Sequence, residues 1–132
     1  MNASRRVTSI PTPNAPPAVG PYVPAVRAGS WIVCSGQLGI DPHTGALVTG
    51  GPAAEARQAL ANLRAVLADA GASLSDVAKT TVFVTDLGAF AVVNDTYADA
   101  FGTHTPARAT VQAAALPLGA SVEIEAWAYH PR

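Results

Sequence analysis

Two stretches of this chain carry a single apolar stripe at helical spacing, and they stand among five or six strand-like runs. In the first, Pro52 fits the opening turn of a helix that runs to about Gly71, which is placed to end it. Leu60, Leu63, Leu67 and Ala70 recur at i, i+3, i+7 and i+10, while Glu55, Gln58, Asn62 and Asp69 fall mostly elsewhere on the wheel. In the second, Asp86 can cap a helix over 87–101, with Phe90, Val93, Tyr97 and Phe101 along one side. A helix with one stripe buries one side only. Two such helices can therefore cover one face of a sheet and must leave the other face bare. The predicted architecture is α+β, one sheet with both helices on the same face.

The strand runs set the order. VPAVRA (23–28) and WIVCSGQL (31–38) flank Gly29-Ser30, a hairpin signal, and Pro24 implies an edge position. DPHTG and TGGP supply turn chemistry before the first helix. VAKTTVFV (77–84) is dense in β-branched residues, and ARATVQAA (107–114) and SVEIEAWAYH (121–130) lie on either side of the turn ALPLGA. The expected order is β-β-α-β-α-β-β. PTPNAPPAVGP, in the first 21 residues, cannot be helix or central strand and reads as an arm leading to Tyr22, with residues 1–7 its loose part. The 132 residues suffice for one domain, 1–132, and not for two.

Charged residues make up only 13% of the chain, against roughly a quarter in a typical domain. Coverage of part of the surface by another subunit explains that shortage, and so does a bias towards Ala, Gly and Pro. Lys and Arg total 8 against 9 Asp and Glu, with no basic stripe, which argues against nucleic acid as a partner. Arg5-Arg6 is followed by no long apolar run, and no run approaches the ~20 residues of a membrane span. Cys34 is the only cysteine, so no internal disulfide can form. A cytoplasmic protein without membrane contact is expected.

The last two strand runs hold the chemistry. Alternation puts Arg108, Thr110 and Gln112 on one face and Ala107, Ala109, Val111 and Ala113 on the other. In the final run Val122, Ile124, Ala126 and Ala128 share a face, opposite Glu123, Glu125, Trp127 and Tyr129. A hairpin across 115–120 would set Arg108, Thr110, Glu123 and Glu125 on the bare face of the sheet. Trp127 and Tyr129 suit a face that another subunit covers, where the polar residues become a partly buried interface site. The same residues also fit an ordinary cross-strand ion pair on a solvated face.

TPNAPPAVGPY (12–22), CSGQLGIDPHTG (34–45), EARQALANLRAVLADAG (55–71), VAKTTVFVTDL (77–87), VNDTYADAF (93–101), PARATV (106–111) and VEIEAWA (122–128) occur in that order. Together they resemble the Rid family, the reactive intermediate deaminases, also called YjgF or endoribonuclease L-PSP. The resemblance covers nearly the whole chain from about residue 8. It implies a chorismate-mutase-like fold and a homotrimer with inward-facing sheets and sites between subunits. It implies hydrolysis of 2-aminoacrylate-like enamines and 2-imino acids to 2-keto acids and ammonia, with no cofactor.

The family pattern carries over onto particular positions. Arg108 matches the arginine that clamps the substrate carboxylate, a task suited to a two-pronged guanidinium. Glu123 matches the glutamate that positions or activates the attacking water. Tyr22, Ser35, Gly36, Asn94 and Thr110 match positions that line the substrate pocket. Thr110 stands where many members have Cys, and Thr105 where many have Phe. Trp127 and Tyr129 are bulkier than the usual aliphatic residues.

Other residues read more plainly. Cys34 lies in an apolar run and reads as packing. His43, His104 and His130 lack metal-ligand spacing, so no metal is expected. Lys79 reads as a strand lysine with a solvated head. Ser35 lacks a Gly-x-Ser-x-Gly context, and SGQLG is too poor in glycine for a dinucleotide loop. Two alternatives to the deaminase are a non-catalytic trimer that binds small carboxylates or regulates a partner, and an endoribonuclease or translation inhibitor.

Overall fold

A computed structural model describes residues 6–132. Its principal elements are β1 (Val7–Ser9), β2 (Ala25–Ala28), β3 (Trp31–Leu38), α1 (Gly51–Asp69), β4 (Val77–Val84), α2 (Phe90–Phe101), β5 (Ala107–Gln112) and β6 (Val122–Tyr129). The strands form one six-stranded sheet in the order β1-β2-β3-β6-β4-β5. All neighbours are antiparallel except β4 and β5, which run parallel. A parallel pair needs a crossover, and α2 supplies it.

Both helices lie on one face, as their single stripes require. Leu60, Leu63, Val66 and Leu67 of α1 join Val93, Tyr97 and Phe101 of α2 in the main core. Ile32 and Cys34 of β3, Val82 and Val84 of β4, and Val122, Ile124, Ala126 and Ala128 of β6 meet them from the sheet. Helix α1 packs on β3 and β6. Helix α2 lies towards β4 and β5, where the Tyr97 hydroxyl and Thr80 Oγ1 share a hydrogen bond of 2.7 Å in the interior.

Three expectations change. The hairpin between the last two strands does not form. Strand β6 pairs with β3 and β4, and β4 separates it from β5. The ALPLGA link passes the end of β4 by way of a short 3-10 turn over Pro117–Gly119. Strand β2 is not an edge, because β1 lies outside it, and Pro24 stands just before the strand. Val7, assigned to the loose arm, begins β1; residues 1–5 of that arm, including Arg5 of the basic pair, lie outside the described residues.

The polar positions on α1 also depart from a simple wheel. Glu55 and Asn62 are buried. The Glu55 carboxylate accepts hydrogen bonds from the Ser121 backbone N–H and hydroxyl, both at 2.8 Å. Asn62 Nδ2 donates to the Leu38 and Ile40 carbonyls at 3.1 and 2.8 Å. These bonds satisfy groups that the end of β3 and the start of β6 would otherwise bury unpaired. The first turn of α1 presses directly on the chain after β3: a Cβ at Gly39 would stand 2.7 Å from the Glu55 backbone.

Candidate active site

Arg108 sits on β5, at the edge of the sheet, level with Thr80 on β4. Laterally paired residues point to the same face. Thr80 belongs to the helix-covered face, so Arg108, Thr110 and Gln112 belong to it as well. There α2 makes a bed for the guanidinium. Its Cζ lies 4.8 Å from the Tyr97 ring centroid and 5.6 Å from that of Phe90. One terminal nitrogen donates to Asn94 Oδ1 at 2.8 Å. Two rings and an amide thus set the plane of the fork through contacts that leave its charge intact. Among the described residues no carboxylate lies within ion-pair distance of Arg108.

A cleft of about 300 Å³ opens beside Arg108 and reaches along the second half of α2 to the segment around Pro106. Thr110 is half-buried on the same face, two residues beyond Arg108. Burial raises the proton affinity of the Tyr97 hydroxyl, although the bond to Thr80 and the charge of Arg108 act the other way.

Glu123 lies on the opposite face. It is level with Leu38 on β3 and Phe83 on β4, and its β6 neighbours Val122 and Ile124 point into the core. Gly36 makes room for its carboxylate: a Cβ there would stand 2.6 Å from Glu123 Oε2. Burial, and secondarily the negative charge of Glu125, push the Glu123 pKa above the usual carboxylate value. Glu123, Gly36 and Tyr22 line a small depression together with Pro24 and Pro117. Ser35 stands next to it and donates from Oγ to the Val23 carbonyl at 2.6 Å, which ties β3 to the loop that carries Tyr22. The Tyr22 ring is about half exposed.

The seven sequence-predicted positions therefore form two groups. Arg108, Asn94 and Thr110 lie on the helix side at the sheet edge. Tyr22, Ser35, Gly36 and Glu123 gather on or beside the bare side, around β3 and β6. The expectation that Arg108 and Glu123 share a face is overturned, because β4 lies between their strands and the alternation of β5 follows β4. Two strand spacings, about 10 Å, and the thickness of the sheet separate the two groups.

Trp31, Trp127 and Tyr129 form a cluster on the bare face, with Trp31 at 6.2 Å from Trp127 and 5.1 Å from Tyr129 in edge-on contacts. All three are exposed. Cys34 packs in the core, and burial pushes its pKa up to about 12, so its thiol stays protonated. Among the described residues, no three His, Cys, Asp or Glu side chains are placed to hold a metal ion. None of the helices there is long and apolar enough to cross a membrane.

Sequence reasoning missed the roles of Phe90 and Tyr97, which it read as core stripe. The signal available was Asn94 between them at i, i+4, i+7, an amide on an otherwise apolar line. The hold of Glu55 on Ser121 left no local trace, since its partner is 66 residues away.

The family profile described as Endoribonuclease L-PSP matches residues 12–130, and the chain belongs to that family. It is 49% identical over 122 residues to the 2-iminobutanoate/2-iminopropanoate deaminase of Homo sapiens, covering 92% of this chain and 88% of that protein. The crystal structure of RidA from the Antarctic bacterium Psychrobacter sp. PAMC 21119 superposes with a TM-score of 0.89 at 47% identity, covering 92% of this chain and 98% of that one. The structure of E. coli TdcF with bound serine gives a TM-score of 0.88 at 41% identity, covering 93% and 98%. The fold is the chorismate-mutase-like α+β fold of these proteins.

Proposed function

We propose that this protein is a 2-imino acid deaminase that hydrolyses reactive imines and their enamine tautomers to 2-keto acids and ammonia. The observation that carries the reading is the Arg108 guanidinium, held flat by Tyr97, Phe90 and Asn94, free of any carboxylate among the described residues, and open to a cleft. Close identity to a named deaminase supports it, and a relative crystallised with serine shows an amino acid bound on this fold.

The chemistry asks little of the protein beyond placement. The 2-carboxylate of the substrate docks on Arg108, two oxygens against two N–H groups. A protonated imine carbon is already electrophilic and needs no cofactor to activate it. Water attacks that carbon, and Glu123 accepts a proton from the water as the C–O bond forms. The tetrahedral amino alcohol then collapses: the C–N bond breaks, the nitrogen leaves as ammonia after protonation, and the hydroxyl becomes the keto carbonyl. The sum is imino acid plus water to keto acid plus ammonia. Ser35, Gly36, Tyr22 and Thr110 line the pocket.

Because Arg108 and Glu123 lie on opposite faces of one chain, a complete site in this reading takes Arg108 from one copy and Glu123 from its neighbour. A homotrimer with the bare sheet faces turned inward supplies that pairing. The exposed Trp31, Trp127 and Tyr129 and the 13% charge content support covering that face. The protein is assigned to the cytoplasm, where pyridoxal-phosphate enzymes release such imines.

The test couples the purified protein to an amino-acid oxidase or a serine/threonine dehydratase and follows keto acid and ammonia. Arg108→Lys is expected to lower kcat/KM about 100-fold, since a single ammonium cannot copy the fork. Full activity in that variant overturns the clamp. Arg108→Lys and Glu123→Gln chains, unfolded and refolded together in equal amounts, are expected to recover about a quarter of the wild-type activity in a closed symmetric oligomer, although each alone is nearly inactive. No recovery, with mixed oligomers present by mass, overturns the shared site.

A further inference from the structure

Glu123 owes its place to an irregular stretch of β3. The register between β3 and β6 slips between Cys34 and Gln37, which pair with Ala126 and Ile124. Strand β3 therefore carries one extra residue there, a β-bulge. Gly36, whose missing Cβ makes room for the Glu123 carboxylate, lies in that bulge. A ladder interrupted in this way does not by itself fix where β6 stands. A slip of one residue would carry Glu123 to the other face of the sheet.

Two polar side chains of α1 hold both strands of this irregular pair from the helix-covered face. Asn62 Nδ2 donates to the carbonyls of Leu38 and Ile40, just past the bulge. Its own Oδ1 accepts from Gln58 Nε2 at 2.9 Å, which sets the orientation of the amide. Glu55, two turns earlier on the same side of the helix, takes the N–H and hydroxyl of Ser121, two residues before Glu123. Strand β4 holds Ser121 from its other side, where the Thr85 N–H donates to the Ser121 carbonyl at 3.1 Å. Glu55 and Asn62 are both buried, and among the described residues no basic side chain lies within ion-pair distance of Glu55. Keeping a carboxylate out of water without a cation carries a free-energy cost. What its two directed bonds add over apolar packing is a fixed position.

We propose that Glu55 and Asn62 are positioning residues for Glu123: acting from across the sheet, they lock β6 against the β3 bulge and so fix where the carboxylate stands over Gly36. Neither touches the substrate. The inference rests on the deaminase reading above, in which Glu123 takes a proton from the attacking water. A carboxylate displaced by about 1 Å loses its reach to that water, while Arg108 still binds the substrate. The expected signature is a fall in kcat at constant KM. The hold is one of geometry, so it survives loss of charge. Glu55→Gln keeps an acceptor for the Ser121 N–H and offers an N–H to the hydroxyl oxygen.

The experiment compares wild type with Glu55→Ala, Glu55→Gln and Asn62→Ala as intact oligomers, well below their melting temperatures. It measures kcat and KM on the imine formed in place from alanine by an amino-acid oxidase. Alongside, carbon NMR titrates the Glu123 carboxyl in protein carrying isotope-labelled glutamate, where only Glu55 and Glu125 give other signals. Glu55→Ala and Asn62→Ala are expected to lower kcat about 10- to 100-fold, with KM within a few-fold. In both, the Glu123 midpoint is expected to fall towards the ordinary carboxylate value, because the burial that raises it is lost. Glu55→Gln is expected to stay close to wild type in both readings. Lower melting temperatures with wild-type kcat and an unmoved midpoint would make the two residues structural only and overturn the proposal. Equal effects in Glu55→Gln and Glu55→Ala overturn it as well, since the charge and not the clamp would then be acting. If Glu55→Ala does not fold, Asn62→Ala and Ser121→Ala, which removes one of the two bonds to Glu55, decide by the same readings. Absence of turnover in wild type overturns the deaminase reading instead. The Glu123 midpoint then decides by itself: a fall in Glu55→Ala but not in Glu55→Gln upholds the positioning role, and an unmoved midpoint overturns it.

Discussion

The two halves of the candidate site are built by different means. Arg108 is held by side chains: two aromatic rings beneath it and an amide at its edge, all from the face of α2 that also feeds the core. Glu123 is held by what is missing. Gly36 has no Cβ, and the carboxylate settles into that gap against β3. For the guanidinium what counts is orientation, because its planar fork recognises a carboxylate by direction. In the proposed reaction the Glu123 carboxylate exchanges a proton, and partial burial beside Glu125 raises its affinity for one. The one half is fixed in direction by its neighbours, whereas the other is shifted in proton affinity by its burial.

The comparison breaks most directly at Glu123. Glu123→Gln is expected to lower kcat by about 10²- to 10⁴-fold, the usual range for a lost acid–base group. Its thermal stability should be unchanged or raised. The sign follows from the shift. A carboxyl whose folded pKa is raised is destabilising when ionised, and this penalty grows as pH rises through the folded value. Glutamine removes it. A large fall in melting temperature with little loss of rate would make Glu123 structural.

Gly36→Ala probes the gap itself. The new Cβ must displace the Glu123 carboxylate, so kcat is expected to fall about 10- to 100-fold, as for a small misplacement of a reacting group. Because the clash is with the end of a flexible side chain, the melting curve should move little. Wild-type kcat in this variant would show that the position of Glu123 over Gly36 is immaterial.

Tyr97→Phe tests the other half. The ring under Arg108 remains, but Thr80 Oγ1 loses its partner in the interior. The expected cost is about 1–3 kcal/mol of stability by denaturant titration, with kcat changed only a few-fold. A loss of activity as large as that of Arg108→Lys would mean the hydroxyl, rather than the ring, sets the fork.

The smallest effect is expected from Glu125→Gln. Removing the neighbouring negative charge eases ionisation of Glu123, so the acidic limb of the kcat/KM–pH profile should move to lower pH with little change at its plateau. An unmoved limb would assign that limb to another group.

Much of this was readable from local pattern. The helices, the strand runs and the alternation of ARATVQ and VEIEAW need only neighbours a few residues apart. The motifs around Arg108 and Glu123 led to the same family that the comparisons show. The error came in joining strands. The link 115–120 has turn residues, and a turn between consecutive strands usually makes a hairpin. Here α2 carries the chain across to make β5 a parallel partner on the outer side of β4, and β6 fills the slot between β3 and β4. Glu55 and Asn62 were misread for a related reason. A wheel shows which side of a helix is polar, but it does not show that a strand end awaits that polarity.

By itself, then, the amino-acid order determined which residues face together within each strand and helix, because period and propensity act over a few residues. It also determined that one sheet face would lack helices, because each helix has one apolar stripe. Only the tertiary structure decided the order of strands, and with it that cation and carboxylate lie on opposite faces. Strand order depends on pairings between backbone edges far apart in sequence, and no local pattern records those.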